Sequence, residues 1–139
     1  MADISITAAN VIFVSGTKHN SNTAGETITA GHMVYLKASD SKWWKADNNV
    51  DQATSGYGVQ TGIALHGAAA GQPLVVQTTG DITIGATVAV GVVYVLSTTA
   101  GGLAPHADLV STNYITYGGY AITTGRLRMI NAATGLQVA

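Results

Sequence analysis

The chain has 139 residues, 47% of them hydrophobic, with six basic and seven acidic side chains, a formal net charge of −1 and no cysteine. Six scattered cations leave no electrostatic footprint for nucleic acid or acidic lipid, and a chain without cysteine excludes disulfide staples, cysteine metal sites and thiol redox motifs. No run of 18 apolar residues is present, and Met1-Ala2-Asp3 lacks the basic start of a secretory leader.

Short apolar or alternating runs rich in Val, Ile, Thr and Tyr, bounded by Gly, Asn, Asp and Ser, predict strands rather than helices. In chain order they cover residues 4–7, 11–14, 33–38, 43–46, 59–65, 74–78, 82–84, 88–97, 114–123 and 126–130. Ser39-Asp40-Ser41 reads as a hairpin turn. Residues 48–55 and 104–111 allow a single helical turn each, Pro105 suiting the start of the second. The fold class is all-β: a small β-barrel-like domain preceded by a strand-like N-terminal segment.

Residues 25–65 and 80–123 share an order of features. Gly25-Glu26-Thr27-Ile28-Thr29 parallels Gly80-Asp81-Ile82-Thr83-Ile84. Gly31 with Tyr35-Leu36 parallels Gly91 with Tyr94-Val95-Leu96, and Gly62-Ile63-Ala64 parallels Gly119-Tyr120-Ala121. Each half reads as a glycine turn, a strand with an exposed tyrosine, a loop and a return strand. Two copies are fewer than a solenoid needs, so one body built from two similar halves is expected.

Only 9% of residues are charged, against about 25% in an ordinary domain. A monomer of this mass should expose roughly 6,700 Å², or about one charge per 500 Å². Either uncharged polar side chains carry solubility alone, or other subunits cover much of the surface; the second reading is preferred.

No catalytic motif stands out. The seven carboxylates sit apart, mostly beside turns where Asp bonds local backbone. His19, His32, His66 and His106 show no paired spacing of metal ligands. The expectation is a non-enzyme without metal or cofactor. Trp43-Trp44 should place one indole in the core and the other at a rim or a neighbour, since adjacent strand residues face opposite sides. Ile4, Ile6, Val11, Ile12, Phe13 and Val14, followed by a polar linker, read either as an arm that pairs with another protein's sheet edge or as the first strand of the chain's own body.

The run Met33-Val34-Tyr35-Leu36, then Ser41-Lys42-Trp43-Trp44-Lys45-Ala46, then Thr61-Gly62-Ile63-Ala64-Leu65 resembles the head decoration proteins of lambda-like phages. Residues 24–31, 80–86 and 94–97 are similar to phage capsid cement proteins more broadly. The resemblance implies a β-tulip-like domain that binds the outside of an expanded capsid as a homotrimer and helps the shell resist the pressure of packaged DNA. It also implies an N-terminal arm that adds to a sheet of the major capsid protein. On this reading residues 1–24 are docking arm and linker, and 25–139 the decoration domain. Ile4, Ile6, Val11, Ile12, Phe13 and Val14 contact the capsid, while Trp44, Tyr94 and Tyr117 contact the capsid or other copies. The protein would be made in the host cytoplasm and reside on the outer capsid surface, with no nucleic-acid or membrane partner. The alternative is a carbohydrate- or receptor-binding β module of a tail fibre or baseplate, with exposed Trp and Tyr as stacking platforms.

Overall fold

The β-branched and aromatic runs fold as strands throughout a computed structural model, which describes residues 2–48 and 57–139. They are β1 (Val11–Phe13), β2 (Lys18–His19), β3 (Met33–Lys37), β4 (Trp43–Lys45), β5 (Tyr57–Ala64), β6 (Val76–Gln77), β7 (Asp81–Ile84), β8 (Val93–Leu96), β9 (Leu103–Pro105), β10 (Tyr114–Ala121) and β11 (Arg126–Gln137). The only helical pieces among the described residues are 3-10 turns at Ala8–Asn10 and His106–Asp108. The chain is all-β. Its strands form two antiparallel sheets, ordered β1-β7-β11-β10-β8-β9 and β2-β6-β5-β3-β4, which do not close into one barrel.

Apart from β1, the two sheets have the same topology. The hairpin β3–β4 pairs Leu36 with Trp43, Tyr35 with Trp44 and Val34 with Lys45; the hairpin β8–β9 pairs Leu96 with Leu103, Val95 with Ala104 and Tyr94 with Pro105. Gly31 N–H donates to the Ala64 carbonyl at 2.8 Å and Gly91 N–H to that of Ala121 at 2.9 Å. Lys37 N–H donates to Lys42 as Ser97 does to Gly102. In this register Tyr94 stands where Val34 does, one place away from Tyr35. The exposed tyrosines expected at these positions are both buried, Tyr35 at 8% and Tyr94 at 4% exposure. Burial of Tyr94 leaves no orphan, because its hydroxyl accepts from Ala89 N–H at 2.9 Å.

Alternation along β3 sends Met33 and Tyr35 into a core shared with the other sheet's Ile82, Ile84, Leu96, Leu103 and Leu127. Val34 faces a smaller cluster with Trp43, Leu74, Val76 and Ile28. Polar staples join the halves. Asn131, in a left-handed conformation (φ 52°), donates from Nδ2 to the Thr61 carbonyl at 2.7 Å and the Thr78 carbonyl at 2.9 Å. Where the chain leaves β6 for β7, two backbones touch without room for a side chain. A Cβ on Gly16 would lie 2.1 Å from the Thr79 carbonyl oxygen, and one on Gly80 2.1 Å from that of Ser15.

Several boundaries differ from the expectation. Residues 4–7 form no strand, although two of their amides bond neighbouring strands and turns. β2 and β9 were not expected, and β11 runs to Gln137 because β10 supplies partners as far as Tyr114. Of the expected turn at 48–55, all but Asn48 lies outside the described residues.

Candidate functional site

The N-terminal segment is built into the body. Ala2 N–H donates to Asp108 Oδ2 at 2.7 Å, and Ser97 Oγ donates to Asp3 Oδ2 at 3.0 Å. Ile4 N–H reaches the Leu103 carbonyl and Thr7 N–H the Gly85 carbonyl, both at 2.8 Å. The 3-10 turn at Ala8–Asn10 then returns the chain so that β1 pairs antiparallel with β7, Val11 opposite Ile84 and Phe13 opposite Ile82. Ile4 and Ile6 pack half-buried on the larger core, and Val11, 8% exposed, belongs to it. Of the two readings of this segment, an arm that pairs with another protein's sheet edge or a part of the chain's own body, the structure has the second for residues 4, 6 and 11, whose apolar side chains gain by burial.

Of the six predicted capsid-contact residues, Ile12 alone is broadly exposed, at 58%. It lies on the edge strand of the six-stranded sheet. Phe13 and Val14 are half-buried, and Lys18 Nζ lies 4.6 Å above the Phe13 ring.

Trp43 is buried, its ring edge-on to His19 with centroids 5.4 Å apart. Trp44 is half-buried. Its Nε1 donates to Asp40 Oδ2 at 3.1 Å, and Lys37 Nζ sits 4.8 Å over the ring. A Cβ on Gly25 would come within 2.3 Å of this indole, so Trp44 lies across bare backbone. With Lys37 over the ring and Gly25 packed against it, Trp44 is not an open stacking platform. Tyr94, the second of the predicted contact residues, is buried. Tyr117 is half-buried, its ring stacked on His106 at 6.1 Å and 5°.

The residues that hold the N-terminal segment through their carbonyls, Leu103 and Gly85, escaped sequence reasoning, since a main-chain acceptor leaves no mark on the side-chain pattern.

On the outer face of the six-stranded sheet Arg128 meets Asp81 across β11 and β7, Nε to Oδ1 at 2.9 Å and Nη2 to Oδ2 at 3.2 Å. This bond holds the Asp81 carboxyl below its usual range, but a surface pair contributes little stability. Beside the N-terminal segment, His32 Nδ1 accepts from Thr29 N–H at 3.1 Å. Burial, and secondarily Lys45, lower its pKa from 6.5, against a smaller opposing effect of Glu26. The native state therefore resists a proton that the unfolded chain takes up, and stability falls as pH drops below about 6.5. In urea titrations at pH 7 and pH 5 the His32→Gln protein should lose less of its midpoint on acidification than the wild type; equal losses would remove His32 as the cause.

Among the described residues no group of three or more His, Asp or Glu is placed to hold a metal ion, and no helix is long and apolar enough to cross a membrane. Comparison with protein-family models, curated proteins and solved structures finds no match to this chain.

Proposed function

We propose that this protein is a structural decoration subunit that binds the outside of an expanded phage capsid and ties neighbouring capsid subunits together. The observation that carries the reading is β1: a short apolar strand at the edge of the six-stranded sheet with Ile12 turned to solvent. Edge strands offer unpaired main-chain groups to an added strand, and the major capsid protein would supply that strand. The sparse charge on this chain fits a surface meant to be covered by neighbouring subunits. Many weak contacts repeated over a lattice add up by avidity, so a modest patch per subunit suffices. In this reading copies assemble as homotrimers on the shell.

The test is co-sedimentation of the purified protein with expanded and unexpanded phage heads. Wild type should saturate expanded heads. Ile12→Lys should keep stability within about 0.5 kcal/mol, as exposed substitutions do, yet lose most of its attachment. Undiminished binding of that variant would move the contact away from β1; failure of the wild type to bind any head would end the proposal.

A further inference from the structure

Hydroxyl side chains gather at one end of the six-stranded sheet. In the segment 4–7, Ile4 and Ile6 pack on the core and Ser5 and Thr7 are left exposed. On β7, Ile82 and Ile84 are buried and Thr83 turns to the outer face. With Asn10, Thr87 and Thr124 these side chains line an open depression of about 440 Å³, and two glycines and an alanine complete its wall. No charged and no large apolar residue lines it. Among the described residues none of the six polar side chains bonds another part of the chain, unlike Asn131 and Gln77, whose amides staple the halves together. Their hydrogen-bonding capacity faces outward.

A cation stands beside them. Arg126 pairs with Thr83 across β11 and β7, so its side chain leaves the sheet on the same face. Four of the chain's other cations are engaged: Lys18 over Phe13, Lys37 over Trp44, Lys45 with Glu26 and Arg128 with Asp81. Arg128 holds both oxygens of Asp81. Arg126 is exposed and has no hydrogen bond or ion pair of its own among the described residues. We propose that Arg126 and this depression bind an acidic saccharide, the guanidinium taking the sugar carboxylate and the six side chains bonding ring hydroxyls. A guanidinium meets a carboxylate through two parallel bonds, and hydroxyls both donate and accept, as sugar hydroxyls do. Small-molecule sites span about 300–1,000 Å³ and are mostly apolar with a few polar groups. Here the size is ordinary and the lining is inverted: it offers nothing to an apolar ligand and suits one that carries hydroxyls all round. A bare inorganic anion would call for converging cations, whereas one arginine beside six uncharged polar groups matches a single charge among several hydroxyls. An open site leaves the ligand partly in water, so affinity per copy is weak, on the order of millimolar. This inference does not rest on the capsid reading, since it concerns the isolated protein.

The probes are the methyl glycosides of glucuronic, galacturonic and N-acetylneuraminic acid, each beside its methyl ester, which keeps the ring and loses the charge. In amide NMR spectra of the full chain at least one acid should shift the signals of Thr83, Thr87, Thr124 and Arg126, and its ester should bind about tenfold more weakly. Arg126→Gln should bring the acid down to the level of its ester. Thr83→Val keeps a β-branched side chain, removes the hydroxyl and should weaken both. Lys42→Gln removes a cation from the other sheet and should change neither, which separates a site from a general effect of charge. Acid and ester binding alike to the wild type overturns the proposal. So does the absence of localised shifts with every acid up to about 20 mM, or acid binding undiminished in Arg126→Gln. The same spectra show whether each variant is folded, and the acid–ester comparison on the wild type decides without any variant.

Discussion

Deletion of residues 2–14 is expected to lower the unfolding free energy by about 4–6 kcal/mol, from the loss of one fully and several partly buried aliphatic side chains. Val11 leaves the core, Ile4 and Ile6 leave their half-buried seats, and β7 loses its edge partner. Domains of this size have about 5–15 kcal/mol in all, so the truncation removes a large share of the stability. Urea unfolding followed by tryptophan fluorescence measures it directly. A midpoint equal to that of the full chain would mean that the segment contributes nothing to the body. The result also bears on attachment assays, where a truncation that fails to bind heads would report lost structure before lost contact.

A second large effect is expected at Gln77. Its side chain is fully buried at the end of β6, and the two hydrogens of Nε2 are shared among three carbonyls, Ser15 at 2.9 Å, Thr79 at 3.0 Å and Asp81 at 2.8 Å. The amide therefore locks the crossing between sheets to the loop that follows β1. Gln77→Leu keeps the volume and removes the donor, at a cost of about 2–4 kcal/mol for carbonyls left short of partners. Gln77→Glu should be worse at neutral pH, because a carboxylate faces three carbonyl oxygens with no hydrogen to give. That variant should recover part of its stability on acidification: the native state favours the protonated acid, its pKa lies above that of the unfolded chain, and the stabilising form is lost as pH rises. Thermal midpoints of the three proteins from pH 4 to 8 check this; a Leu variant as stable as wild type would assign the junction to the glycines alone.

What the chain revealed before folding was local. Met33–Lys37 and Trp43–Lys45 are legible because alternation and a turn of small polar residues specify a hairpin on their own. Lys18–His19 is not legible, since a polar pair becomes a strand only because Gln77 and Val76 lie alongside. The likeness of Tyr35 and Tyr94 misleads by one place, because letters were matched where hydrogen-bond register decides. The N-terminal segment shows the limit most plainly. The apolar side chains at 4, 6 and 11 announce that something must cover them, but the partners that do so, β7 and β9, come far later in the chain, and no local pattern encodes that. Ile12 is the counterpart, a β-branched residue indistinguishable in sequence from Val11 yet turned outward by strand parity.

The nesting of one sheet inside the other in chain order bears on how the protein is born. Every strand of the five-stranded sheet lies between Lys18 and Gln77, so that unit can condense on the ribosome from contiguous sequence. The six-stranded sheet needs Val11 to meet Ile84, across about 70 intervening residues, and such distant closures are slow. Until then the nascent N-terminus carries bare isoleucines with nowhere of its own to put them, which is the interval in which a chaperone, or a sister polypeptide on the same messenger, has its chance to take hold.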